Sequence, residues 1–117
     1  MAGIVFFGTE SPATVVDFYT ERLGAERWLE QPDCTVLQYD NLLFGFCDRE
    51  DPDLEGTITF VLDSRAAVDE AYDRLEDIAH EQPVMNETYC IYQFFGSDPE
   101  GRTIEVQTFL HETDSIN

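Results

Sequence analysis

The chain contains no lysine. Its six basic residues are all arginine and face 25 acidic side chains, a formal net charge of −19 over 117 residues. Binders of nucleic acid neutralise phosphates with Lys and Arg, so this balance excludes DNA, RNA and anionic membrane surfaces as partners. Self-repulsion at such charge opposes compactness in dilute buffer, but the screening length shortens to about 3 Å near 1 M salt. The composition therefore points to a salt-rich cytoplasm, such as that of a halophilic archaeon. An acidic disordered tail is excluded, because the acids are spread through segments that are 43% hydrophobic and 13% aromatic.

Long apolar runs are also missing, and none approaches the roughly 20 residues needed to span a bilayer. The opening stretch MAGIVFFGTE has neither a basic region nor a small-residue cleavage site, so no secretory signal is expected. Cysteine is scarce, and Cys34, Cys47 and Cys90 form no CxxC pair. They read as reduced core thiols rather than as a reactive thiol or a metal site.

What is present is a repeat. An offset of 53 residues aligns Gly3 with Gly56, Val5 with Ile58, Phe7 with Phe60, Ser11 with Ser64 and Tyr19 with Tyr72. Each half opens with a β-rich run and proceeds to a helix start, Ser11-Pro12 in the first and Asp63-Ser64 in the second. The spacing predicts a first helix burying Val15, Phe18, Tyr19 and Leu23 and ending at Gly24, and a second burying Val68, Ala71, Tyr72 and Leu75. Three strand-like runs follow each helix: RWLEQ, CTVLQY and NLLFGFC, then PVMNE, CIYQFF and RTIEVQTF. The expected fold is α+β, a βαβββ unit occurring twice in one domain. Module one covers 1–48, a linker 49–55, module two 56–110 and a tail 111–117. The acid-rich DREDPDLEG at the join loosely echoes a calcium loop, but it has no central glycine and no entering helix, so it reads as solvated charge.

Strand alternation separates two faces. Ile58, Phe60 and Leu62 oppose Thr57, Thr59 and Val61, while Ile104 and Val106 oppose Thr103, Glu105 and Gln107. Gln93 and Phe95 share a face by the same count. The apolar faces should pack on the helices, leaving a semi-polar face with one carboxylate, Glu105. That face suits a cavity if the sheet curls, and a solvent-exposed surface or a dimer interface if it does not.

The stretches FYTERLG, Phe18 to Gly24, and FFGSDPEGRTIEVQ, Phe94 to Gln107, together with the paired βαβββ layout, resemble the vicinal oxygen chelate superfamily, also called the glyoxalase/bleomycin resistance/dioxygenase family. The resemblance implies two modules forming an incomplete barrel around a central cavity. It also implies metal ligands on the first, fourth, fifth and eighth strands, which fall here at about Ile4, Gly45, Thr57 and Glu105. Only Glu105 is a competent ligand, whereas catalytic divalent metals need about three protein ligands. His80 is placed at the exposed end of the second helix and His111 beyond the last strand, so neither completes the set. No metal and no cofactor are expected.

Metal-free relatives often hold drugs in a cavity formed by a dimer, so the resemblance implies a homodimer that binds a small organic molecule. A carboxylate in a semi-apolar cavity without a cation must collect hydrogen bonds or shift its ionisation, and Thr57, Gln93 and Gln107 are the expected donors. Thr57, Thr59, Gln93, Phe95, Glu105, Gln107, Trp28 and Tyr39 are the expected ligand-binding residues, with the aromatic ones offering a stacking surface. Two further readings stay open. In one, Glu105 is the general base of an isomerase or lyase, with Thr57 or Gln93 polarising the substrate; in the other, it is simply bonded to neighbouring hydroxyls or to Arg102.

Overall fold

The structure is a computed structural model and describes residues 2–116; residue 1 of the first module and residue 117 of the tail lie outside the described residues. The elements run β1 (Ile4–Thr9), α1 (Pro12–Glu21), β2 (Glu26–Glu30), β3 (Cys34–Tyr39), β4 (Leu42–Asp48), β5 (Thr57–Val61), α2 (Arg65–Leu75), β6 (Val84–Asn86), β7 (Ile91–Ser97) and β8 (Thr103–Phe109). This is βαβββ twice. Each module carries an open four-stranded mixed sheet, ordered β1-β4-β3-β2 and β5-β8-β7-β6, with one parallel pair in each. The chain divides into two compact units, 1–55 with 98–102, and 56–97 with 103–117.

In the first unit α1 lies on β3 and β4. Its stripe Val15, Phe18 and Tyr19 is buried, and the Tyr19 ring meets Phe44 and Phe46 at centroid distances of 5.5 and 5.2 Å. The helix stops as expected: Gly24 takes φ +80, a conformation that costs glycine little, which lets the Ala25 N–H reach back to the Tyr19 carbonyl. Its start differs from expectation. The Ser11 side chain makes no cap bond; instead Glu100 accepts from the Glu10 N–H and the Thr9 hydroxyl, while Thr9 Oγ1 accepts from the Ser11 N–H. In α2 the expected cap forms, Ser64 Oγ accepting from the Ala67 N–H.

Glu100 belongs to the turn 98–102, whose Arg102 is fully buried. The guanidinium donates to the Asp98 carboxylate at 2.6 Å, to Glu100 at 3.1 Å and to the carbonyls of Asp53 and Gly8. It also lies 5.5 Å from the Phe7 ring and 5.3 Å from that of Phe46. The Tyr19 hydroxyl donates at 2.8 Å to Asp98 Oδ2, the same oxygen that accepts from Arg102. Burial works against the Arg102 charge, but Asp98 and Glu100 outweigh it and hold the group above its ordinary range. Burial, with Asp98 adding to it, pushes the Tyr19 phenol well above its ordinary range, so it remains a donor. The acidic segment after β4 is exposed but not merely solvated: Arg49 and Asp53 pair their backbones with Thr9 and Gly8, and Asp53 Oδ2 accepts from the Gly8 N–H.

The cysteine expectation is corrected. Cys34 and Cys47 sit opposite each other in the β3–β4 register and form a disulfide, and Cys90 is exposed rather than buried. The cause is the two-residue turn at Asp40-Asn41, which fixes the hairpin register so that the two sulfurs meet. His80 is likewise not a helix-terminal residue. It lies beyond α2, next to the Ala79–Gly96 bridge, where its Nε2 is 2.6 Å from Ser97 Oγ.

In the second unit α2 packs on β7 and β8. Val68, Ala71 and Leu75 meet the face formed by Ile58, Phe60, Phe94, Ile104 and Val106, all buried, and Tyr72 packs edge-on against Phe94. The opposite face of this sheet is therefore free of the helix.

The turn generates a pH prediction. Burial opposes the Glu100 charge, but bonds from Thr9, the Glu10 N–H and Arg102 prevail and hold its carboxyl below the ordinary value of 4.5. A depressed folded value means that the contribution is complete above the unfolded value and fades as pH falls through the folded one. Glu100→Gln should cost about 1–3 kcal/mol at pH 7, and urea midpoints of variant and wild type should converge as pH drops below the ordinary carboxyl range. A gap that persists undiminished in acid would contradict this role.

Candidate functional site

The helix-free face of the second sheet is laid out by three registers. Thr59, Glu105 and Phe95 form one row across β5, β8 and β7, and Val61, Gln107 and Gln93 form the next. Thr57 stands opposite Thr103, one row earlier on the same face. A cavity of about 490 Å³ opens on this face. Its polar lining is Thr57, Asn86, Gln93, Glu105 and Gln107, and its apolar lining is Tyr89, Ile91, Phe95 and Phe109. An adjoining recess shares Asn86, Gln93 and Phe95 and adds Glu81, Val84, Met85 and Glu87.

Glu105 is half-buried and holds one hydrogen bond on each oxygen. Thr59 Oγ1 donates to Oε1 at 2.8 Å, and Gln93 Nε2 donates to Oε2 at 2.5 Å. Gln93 is in turn fixed by Asn86, whose Nδ2 donates to Gln93 Oε1 at 2.8 Å, and Asn86 Oδ1 accepts from the Tyr89 N–H at 3.2 Å. The donations thus run in one direction, from the β6–β7 loop to the carboxylate.

Thr57, Gln93, Phe95, Glu105 and Gln107 are brought together as expected, and Thr59 joins them through its hydroxyl. The donor assignment changes, however. Thr59 and Gln93 serve Glu105, whereas Thr57 and Gln107 do not, because the parallel β5–β8 register places Thr59 directly beside Glu105. Trp28 and Tyr39 belong to β2 and β3 of the other unit and are absent from this lining, with Trp28 half exposed. Arg102 is no partner of Glu105, since its donors serve Asp98, Glu100, Asp53 and Gly8. Asn86, Tyr89, Ile91 and Phe109 were not foreseen. For Ile91 and Phe109 the signal existed, since each shares the parity of the foreseen residues on its own strand; Asn86 and Tyr89 lie where the hairpin offered no clear period.

The residues do not fit a divalent metal. Glu105 stands among neutral donors, and among the described residues no three of His, Cys, Asp and Glu come together. In the first unit Gly45 pairs with Phe6, and a Cβ at Gly45 would lie 2.7 Å from Phe6 ring carbons, so a phenyl ring fills the place where a side-chain ligand would stand.

No family model matches the chain, and no curated protein does. Solved structures do. A lactoylglutathione lyase from Agrobacterium tumefaciens shares 21% identity over 92% of each chain, with a TM-score of 0.75. A glyoxalase/bleomycin resistance protein/dioxygenase family enzyme from Burkholderia phytofirmans shares 18% over 92% of this chain and 97% of its own, with a TM-score of 0.80. A glyoxalase/bleomycin resistance protein/dioxygenase from Nocardioides shares 18% over 100% of this chain and 88% of its own, with a TM-score of 0.76. At these identities the likeness defines the fold, which is that of the glyoxalase/bleomycin resistance/dioxygenase proteins.

The donor set makes a direct prediction. Calorimetric titration with Zn²⁺, Mn²⁺ or Ni²⁺ in high salt should give no one-equivalent binding step that depends on Glu105. A stoichiometric step lost in Glu105→Gln would show that the carboxylate is a metal ligand after all.

Proposed function

We propose that the protein is a metal-free small-molecule-binding module that holds an organic ligand in the second-unit cavity against Glu105. The observation that carries this reading is a lone carboxylate, held in place by Thr59 and Gln93 and walled by Tyr89, Ile91, Phe95 and Phe109. Few polar groups converging among apolar walls is the ordinary make-up of a ligand site. The alternative, an isomerase or lyase with Glu105 as base, needs a group to polarise the substrate. Of the two candidates, Gln93 has its N–H directed at Glu105 and its carbonyl accepting from Asn86, which leaves only the neutral Thr57 hydroxyl on the cavity lining.

A ligand that binds only the folded protein raises its melting temperature by mass action. A screen of small aromatic amines, alcohols and amides should therefore yield compounds that stabilise the wild type, with the shift reduced in Glu105→Gln. A screen without a single hit would overturn the proposal.

Further parts of this reading are a homodimer in a salt-rich cytoplasm. The acidic composition supports the setting, and the exposure of Ile4, Val5 and Phe6 on edge strand β1 supports self-association. Among the described residues no helix is long and apolar enough to cross a membrane. The Cys34–Cys47 bridge weighs against a strongly reducing compartment. Thermal unfolding and sedimentation from 0.1 to 3 M KCl should show a rising melting temperature and a dimer at the high end; falling stability with a monomer throughout would contradict both parts.

A further inference from the structure

Gln107 is nine-tenths buried, lines the cavity and makes no side-chain hydrogen bond among the described residues. Among the described residues no fully enclosed side-chain nitrogen or oxygen lacks a partner, so the amide of Gln107 must open onto the cavity. It presents a free carbonyl acceptor and free N–H donors. A sheltered amide of this kind gains by pairing, because burial has already removed much of its water.

The charge beside it is equally unanswered. Among the described residues Glu105 receives only neutral donors, each of its oxygens retains acceptor capacity, and no Arg or His lines the cavity. The adjoining recess adds two more carboxylates, Glu81 and Glu87, and again no cation among the described residues. An anionic ligand would be repelled, and a neutral one would leave the Glu105 charge uncompensated. The aromatic walls Tyr89, Phe95 and Phe109 suit a flat apolar body and also favour a cation over their faces.

Resting on the binding reading above, we infer that the ligand is an organic cation, a protonated amine on a ring-sized apolar body that also carries a carboxamide or an equivalent donor-acceptor pair. The ammonium sits at Glu105 and the carboxamide at Gln107. The two side chains are two residues apart on β8, roughly 7 Å along the strand, so the ligand's two polar groups lie within a few bonds of each other.

Three probes separate the parts: phenylalaninamide carries both groups, phenethylamine only the ammonium, and 3-phenylpropanamide only the amide. Dissociation constants are measured by NMR titration near pH 6, below the ordinary α-amino range of roughly 7.7–8.0. Phenylalaninamide should bind tightest. Loss of the charge should weaken binding about tenfold or more, and loss of the amide about threefold to tenfold. Glu105→Gln should erase the preference for the ammonium, and Gln107→Leu the preference for the carboxamide. Should Gln107→Leu fail to fold, the ranking on the wild type still decides. Equal binding of 3-phenylpropanamide and phenylalaninamide would overturn the cation while leaving the cavity reading intact. Equal binding of phenethylamine and phenylalaninamide would overturn the role of Gln107. If none of the three binds, this inference is overturned, while the binding reading beneath it falls only if the wider screen of amines, alcohols and amides also yields no hit.

Discussion

Along β8 the two-residue period of a strand sends Ile104 and Val106 under α2 and leaves Glu105 and Gln107 on the opposite face. A slip of one residue would drive a carboxylate and an amide into the apolar core and expose two aliphatic side chains, so the register is strongly held. Every property of the candidate site follows from that constraint. The parallel pairing with β5 puts the Thr59 hydroxyl beside Glu105, and the antiparallel pairing with β7 puts Gln93 on the diagonal and Phe95 alongside. The helix-facing half of the same strands supplies the packing that makes the arrangement rigid.

Hydrogen-bond direction then decides what the site can offer. Gln93 is oriented by Asn86, so its N–H faces Glu105 and its carbonyl is occupied. The carboxylate is positioned by neutral donors, and the Gln107 side chain has no hydrogen-bond partner among the described residues. In the proposed reading, a carboxylate held by neutral donors and an amide two residues away serve recognition rather than proton transfer. The first unit shows a contrasting use of charge. There Arg102 is enclosed by Asp98, Glu100 and two carbonyls, and the tight, fully paired group fixes a turn and the start of α1.

Much of this was legible in the sequence, because period-two and helical patterns report which face of each element is apolar. The duplicated βαβββ order, both helical stripes and the gathering of Gln93, Phe95, Glu105 and Gln107 all follow from alternation. What was missed depended on register between strands, which periodicity within one strand does not specify. Thr57 and Thr59 have the same parity, and only the pairing with β8 distinguishes them. The Cys34–Cys47 bridge was in principle readable, since both residues lie six positions outside the two-residue turn, but reading it required treating that turn as fixing the hairpin. Trp28 and Tyr39 were grouped with the site on aromatic character alone, with no pattern linking β2 and β3 to the second sheet. The capping of α1 by Glu100 joins residues 90 apart in sequence, and no local signal announces it.

The measurement that bears most directly on this account is side-chain amide NMR of ¹⁵N-labelled protein, with Gln93 and Gln107 compared in the wild type and in Glu105→Ala. Gln93 should exchange slowly with solvent in the wild type and lose both its shift and its protection in the variant. Gln107 should exchange rapidly in both. A protected Gln107, or a Gln93 indifferent to the loss of Glu105, would contradict the arrangement of the site.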